Sequence, residues 1–284
     1  MKYPMIHENN SRFSVSKMCL AMNVSRSGYY AFVNRPESAR SKRHKELTIE
    51  IKKVHYASFE IYGSPNITIE LNRSGISVSR GTVARLMRKN GIKSKIVKKY
   101  KATTNSNHKL PVAENILNRE FTAEKRNQKW VSDITYIWTN EGWLYLAGIL
   151  DLCDGALVGW SMDSRMTKEI VINALTEACV RRNPDPGLLL HSDRGVQYCC
   201  KEYQKEIARK EFICSMSRKG NCWDNAPMES FWGKLKTEWL NGRRFRTRAE
   251  AKKAVFEYIE LFYNRVRLYS KIGYVPPLKM RTVA

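Results

Sequence analysis

The sequence predicts an α/β protein: a mixed five-stranded sheet with helices, preceded by an all-α, helix-turn-helix-like region. Three observations carry this expectation. Residues 1–110 hold 22 Lys and Arg against 6 Glu and no Asp, so +16 of the net +23 lies there. After Trp130 the apolar pattern changes from helical spacing to runs rich in aromatic and β-branched residues, divided by turn signals. Beyond Met162 short apolar runs alternate with amphipathic stretches, the pattern of helices returning across a sheet.

The bulk numbers bound the function. A chain of 284 residues with 43% hydrophobic content buries a substantial core. A net charge of +23 is far more than solubility requires and calls for a polyanion, with nucleic acid foremost. The seven cysteines (19, 153, 179, 199, 200, 214, 222) form no Cys-x-x-Cys pair, and no histidine lies at zinc spacing from two of them. That argues against a structural zinc site and a disulfide framework, and fits a reducing cytoplasm. The apolar run Leu144–Leu152 is interrupted by Gly148 and Asp151 and is too short to cross a bilayer. No Gly-rich Lys-Ser/Thr phosphate loop occurs, so ATP is not expected.

Taken in order, residues 13–33 read as helix, a break at Asn23, a cap at Ser25 and a second helix, giving a helix-turn-helix-like segment over 1–35. A second helical DNA-binding segment over 40–100 rests on Ile67–Leu71, the turn Asn72-Arg73-Ser74-Gly75, and Thr82–Lys89 ending at Gly91. Arg26, Arg80, Arg85 and Arg88 are the candidates for phosphate contact; two small bundles with solvated basic faces are the plainer reading. Residues 93–109 are polar, basic and poor in large apolar groups, which places a basic linker at 101–120 and a second folded unit over 121–284. In that unit Trp130–Trp138, Trp143–Leu150 and Leu157–Met162 read as consecutive antiparallel strands. Thr167–Arg182 is helical and stopped by Pro184-Asp185-Pro186-Gly187. Leu188–Leu190 is a short buried strand, Tyr203–Lys210 a helix and Phe212–Met216 a strand. A loop opened by Gly220-Asn221 leads to helices over Pro227–Leu240 and Ala249–Tyr263.

Three acids stand out. Asp133 lies among apolar strand neighbours, where a carboxylate is costly unless paired or bound to metal. Asp193 follows the buried strand Leu188–Leu190, at a carboxyl end where α/β folds place ligands. Glu229 sits near the start of a helix, and Lys236, two turns on, shares its face. Two strand carboxylates and one helix carboxylate suit two Mg²⁺ or Mn²⁺ ions, the arrangement phosphodiester chemistry uses, with Lys236 gripping a phosphate. Taken singly, each acid also has a structural reading: a hydrogen-bonded strand residue, a turn former before Gly195, and a charge favoured by the helix dipole. Spacing alone leaves both readings open.

The motifs around the acids are Trp130-Val-Ser-Asp-Ile-Thr-Tyr136, His191-Ser-Asp-Arg-Gly-Val-Gln-Tyr198 and Ser217-Arg-Lys-Gly-Asn-Cys-Trp-Asp-Asn-Ala-Pro-Met-Glu-Ser-Phe-Trp232. They resemble the integrase-like Asp-Asp-Glu transposases, most closely the second reading frame of the insertion-sequence-three family. Asp193 and Glu229 are separated by 35 residues, the spacing of that family, and Lys236 matches its basic residue. The likeness covers nearly the whole chain, through Val24-Ser-Arg-Ser-Gly-Tyr-Tyr30, Tyr62-Gly-Ser-Pro65, Val83-Ala-Arg-Leu-Met87 and the closing Tyr263-Asn264, Ser270, Gly273-Tyr274 and Pro276-Pro277. The resemblance implies a ribonuclease-H-like core of the retroviral-integrase type. It implies Mg²⁺ (or Mn²⁺) held by Asp133, Asp193 and Glu229, hydrolysis at an element end, and transfer of the exposed 3′-hydroxyl to another phosphodiester. Its partners would be terminal-repeat and target DNA and an upstream-frame protein or frameshift fusion; a dimer or larger assembly on DNA follows from pairing two ends.

Further residues were open to two readings. Trp223, Asp224 and Asn225 lie in the loop before Glu229, where Trp223 could stack on an unpaired base at an opened DNA end or pack the helix onto the core, and Asn225 is a further candidate for DNA contact. Arg194, beside Asp193, could touch phosphate or close a salt bridge. Asp151 is the chief rival to join the acids, and Asn241–Arg248 is either a solvated connector or a backbone contact. Two other functions share these features: a non-catalytic DNA-binding regulator of transposition, and a nuclease that cuts without joining.

Overall fold

A computed structural model describes residues 2–95 and 111–280. The first half of the linker expected at 101–120, residues 101–110, therefore lies outside the described residues. The N-terminal part is helical, as expected, and begins with α1 (Lys2–Glu8), α2 (Val15–Ala21) and α3 (Arg26–Val33) around a small core of Ile6, Cys19 and Tyr29. Asn23 takes a left-handed backbone at the break, and the Ser25 hydroxyl accepts from Gly28 N–H, capping α3. Three more helices follow: α4 (Ala39–Ala57), α5 (Ser64–Arg73) and α6 (Arg80–Lys89). The 19-residue α4 is not evident in the sequence because it buries only Leu47, Ile51 and His55, a stripe too narrow to give a clear helical period.

The sheet has the order β3-β2-β1-β4-β5. Its strands are β1 (Lys129–Thr139), β2 (Gly142–Asp151), β3 (Leu157–Asp163), β4 (Leu189–Ser192) and β5 (Ile213–Met216). The first three form an antiparallel meander; β4 and β5 add in parallel. β4 pairs with β1 only at Lys129–Val131, so β1 runs on past its neighbour with one open edge. On one face α7 (Lys168–Arg182) packs over β2 and β3, with α8 (Val196–Cys199) and α9 (Lys201–Arg209) beside it. Gly159 permits the approach of α7: a Cβ there would lie 2.2 Å from the Ala174 carbonyl oxygen.

The other face carries α10 (Ala226–Leu235), which continues as a π-helical turn at Lys236–Leu240, and α11 (Arg248–Phe256), which continues as π-helix over Glu257–Tyr263. The sequence reads both as single helices; the backbone instead widens where Trp239, Tyr258 and Phe262 crowd together. This core does not stop at the sheet. Leu47, Ile51, Ile67, Leu71 and Val83 belong to the same buried cluster as Trp232, Trp239, Tyr258 and Phe262. The Tyr62 hydroxyl donates to the Val266 carbonyl (3.1 Å) and accepts from Leu268 N–H (2.9 Å). No helix among the described residues is long and apolar enough to cross a membrane.

Candidate active site

Asp133 stands on the open-edged part of β1, opposite Gly148 of β2. The glycine matters here: a Cβ at Gly148 would come within 2.8 Å of the Trp232 ring. The space it leaves admits Trp232 from α10, whose indole N–H donates to Asp133 Oδ2 at 3.0 Å. Glu229, Trp232 and Lys236 are spaced three and four residues apart, so one helical face carries all three toward the strand.

Asp193 directly follows β4, and its Oδ1 accepts from Gly195 N–H at 2.8 Å, which folds the chain into α8. The two aspartates are neighbours, Asp133 within β1 and Asp193 just past the end of the adjacent β4. Burial pushes the Asp133 carboxyl well above its ordinary value, and the charge of Asp193, then that of Glu229, pushes it further; Ile134 N–H and the Trp232 indole act in the opposite direction. Glu229 itself is exposed, although partial desolvation raises its carboxyl too. Lys236 is half-buried, with Nζ 5.1 Å from the Tyr136 ring centre; burial lowers its ammonium and the Asp133 charge raises it.

A buried polar wall backs the aspartates. His191 is fully buried, with Nδ1 2.9 Å from Ser215 Oγ and Nε2 3.1 Å from Ser217 Oγ. Burial lowers its imidazole to about 4, so it is neutral at physiological pH. Ser217 N–H donates to the Ser192 carbonyl (2.9 Å), beside Asp193. On the other strand the Ser132 hydroxyl pairs with Tyr198 OH (3.0 Å), and the Ser132 carbonyl accepts from Asn225 Nδ2 (3.0 Å). The residue before each aspartate is thus fixed by groups from other elements.

The loop before α10 is held by one carboxylate. Asp224 is fully buried and accepts from Arg119 Nε (2.8 Å), Asn115 Nδ2 (2.9 Å), Arg218 Nε (2.9 Å), Arg218 Nη2 (2.7 Å) and Arg218 N–H (2.9 Å). The Arg218 side chain first, with Arg218 N–H and Arg119 behind it, holds this carboxyl well below the usual range.

The other sequence candidates divide. Arg80, Arg85 and Arg88 are exposed on α6, and Arg26 is exposed at the start of α3, 3.3 Å from Ser16 Oγ. Trp223 is 68% exposed. Asn225, a candidate for DNA contact, is buried, and its Nδ2 donates to the Ser132 carbonyl. Arg194 is half-buried and donates to the Ser217 carbonyl at 2.6 Å, a structural use rather than a display to solvent. Asp151 does not join the acids. It is fully buried and accepts from Asn127 N–H, Trp130 Nε1 and Cys153 N–H, which closes the far end of the hairpin. The residues that sequence reasoning missed are Trp232, Tyr198 and the Asp224 clamp.

Residues 123–222 match the family described as integrase core domain, as do residues 211–277, and residues 42–100 match the HTH-like domain. The chain is 48% identical over 264 residues to the insertion element IS600 uncharacterized 31 kDa protein of Shigella sonnei, covering 93% of this chain and 97% of that one. It is 40% identical over 279 residues to transposase InsF for insertion sequence IS3A of Escherichia coli K12, covering 98% and 97%. Among solved structures a chain of the simian T-cell lymphotropic virus intasome is similar, with TM-score 0.47 and 14% identity over 81% of this chain and 73% of that one. The helical N-terminal region and the five-stranded core with its ribonuclease-H-like topology are accordingly those of a transposase, and the chain belongs to the IS3 family of insertion-sequence transposases.

Proposed function

We propose that Asp133, Asp193 and Glu229 are the catalytic carboxylates of an Asp-Asp-Glu polynucleotidyl transferase, which cuts DNA at the ends of its element and joins the freed 3′-hydroxyl to another phosphodiester. The observation that carries this reading is the mutual repulsion of Asp133 and Asp193 in a desolvated site, with the charge of Glu229 adding to it. Such a pair is costly alone and is relieved by a cation.

The donors are hard oxygens, which fit Mg²⁺ or Mn²⁺ rather than zinc. Among the described residues no three of His, Cys, Asp and Glu form a group that could hold a metal ion, so the fit is that of the aspartate pair, with Glu229 near enough for its charge to act on Asp133. When bound, two such ions would activate the attacking oxygen and stabilise the leaving one.

The chain's own residues do the positioning. The Trp232 indole fixes the direction of Asp133 Oδ2, and Gly195 N–H does the same for Asp193 Oδ1. Lys236, beside Asp133, supplies a positive charge for the phosphate next to the scissile bond. His191 is neutral and enclosed, so it holds the wall and moves no proton. Arg26 on α3 and Arg80, Arg85 and Arg88 on α6 take phosphates of the terminal repeat. Pairing two element ends calls for at least two copies, and the upstream-frame protein or fusion supplies further contacts.

The test uses a labelled element-end duplex with Mg²⁺, and the protein with and without the fused upstream frame. Joined product that disappears in Glu229→Gln while DNA binding persists is the expected result. Undiminished joining in Asp133→Asn, Asp193→Asn or Glu229→Gln would refute the site. Nicks without joining would indicate a nuclease, and binding without either a regulator.

A further inference from the structure

The hairpin of β1 and β2 ends in an aromatic surface that the acid site does not use. Trp138 is 58% exposed and Trp143 40% exposed, although large indoles on a soluble domain are ordinarily buried. Their ring centres lie 4.8 Å apart at 73°. Tyr136 continues the row, 5.0 Å from Trp143, and Lys236 Nζ lies 5.1 Å from the Tyr136 ring. Rings and ammonium thus form an unbroken path from the acids to the hairpin tip.

The tip is rigid and basic. The Thr139 hydroxyl donates to the Gly142 carbonyl (2.7 Å) and Asn140 N–H to the Phe245 carbonyl (3.0 Å). The connector Asn241–Arg248 is therefore pinned to the hairpin rather than loose in solvent. Arg248 secures it, with its N–H on Glu141 (2.7 Å) and its Nε on the Trp143 carbonyl (3.1 Å). Arg243 and Arg244 are exposed along it, Arg243 with its guanidinium 4.6 Å from the Trp239 ring centre, while Arg246 pairs with Glu250 (3.5 Å). Exposed indoles next to a fixed row of guanidinium groups match a nucleic acid strand: a π-face for a base and cations for its phosphates. A protein partner would not call for so much positive charge beside the rings.

We propose that Trp138 and Trp143, with Arg243 and Arg244, form a DNA-strand site on the catalytic unit that stacks an unpaired base. Trp138 lies five positions along the strand from Asp133, about 17 Å at about 3.4 Å per residue, which spans about five nucleotides at a rise of about 3.4 Å. The stacked base lies at about that distance from the scissile phosphate. This distance rests on the proposed acid site; the binding itself does not.

The experiment places 2-aminopurine singly at positions one to ten from the cleavage point of an element-end duplex and records its emission with the full chain in EDTA, where no cutting is needed. The expected result is a change centred near position five that is lost in Trp138→Ala, kept in Trp138→Phe, and accompanied by about tenfold weaker binding of Trp138→Ala. Arg243→Gln with Arg244→Gln should lower the slope of log affinity against log salt by about 2. The proposal falls if no position responds in the native protein, if Trp138→Ala leaves signal and affinity intact, or if Trp138→Ala instead abolishes self-association without DNA, which would make the face a contact between copies. A retained signal in a protein that joins no DNA would strike the acid site and leave this site standing.

Discussion

The two sides of the acid site are built differently. On the sheet side Asp133 and Asp193 are each oriented by an N–H donor and backed by the buried wall of Ser132, Tyr198, His191, Ser215 and Ser217. On the helix side Glu229 is exposed, on a helix that begins after the Asp224-clamped loop and changes to a π-turn at Lys236. The wall holds the aspartates in place against their mutual repulsion, whereas Glu229 projects from the helix into solvent, where its side chain can reorient. Preorganisation on the sheet and adjustability on the helix suit a site that is completed only when its charged ligands arrive.

The sharpest way to break this contrast is to neutralise one acid on each side. Glu229→Gln and Asp133→Asn should each lower joining by about 10³-fold or more. Their stabilities should part. Because the Asp133 carboxyl is raised in the folded protein, its ionised form opposes folding above the ordinary carboxylate range, and that penalty grows as pH rises to neutrality. Asp133→Asn removes it, so the metal-free Tm should rise, by about 2–4 °C per kcal/mol, and the gain should vanish near pH 3. Glu229→Gln, at an exposed position, should leave Tm nearly unchanged. Equal Tm values for the two variants by calorimetry would dissolve the distinction.

Next in size is the joint between the sides. Asp224→Asn strips a buried anion from Arg218 and Arg119 and should cost about 2–3 kcal/mol, less than a wholly buried pair because both arginines are half exposed. The folded carboxyl is depressed, so its stabilisation is complete above the unfolded value and is lost as pH falls below about 4. Acid unfolding of the native protein should therefore be steeper than that of the variant. Coincident acid titrations would show the clamp to be inert.

The smallest effect is the most local. Trp232→Phe keeps the ring in the space above Gly148 but removes the donor to Asp133. That indole lowers the Asp133 carboxyl, so its loss should raise it further, move the acid limb of the pH-rate profile to higher pH, and slow joining about fivefold at pH 7. An unshifted limb would mean that Trp232 only packs.

Much of the fold was legible because periodicity is local. The runs 130–138, 143–150 and 157–162 alternate or stay apolar over strand lengths, and each falls within one residue or so of β1, β2 and β3. Helix α4 escaped notice because a long polar helix with two buried aliphatic residues has almost no period to read. The candidate acids are marked by their motifs. What orients them is not, because the partners are distant in sequence: Tyr198 lies 66 residues from Ser132, Trp232 99 from Asp133, and Arg119 105 from Asp224. The burial of Asn225 is hidden for the same reason, since its Ser132 partner lies 93 residues away.

The Tyr62 hydroxyl, held between Val266 and Leu268, has a consequence for how the chain can be divided. Residues before and after the linker fill one apolar cluster, and Phe59 packs edge-on against both Trp239 and Phe262. Severed near residue 100, the polypeptide would yield two pieces with matching oily faces, each insoluble by itself and each the other's natural cover. Gene-level modules here are complementary fragments of a single folding unit.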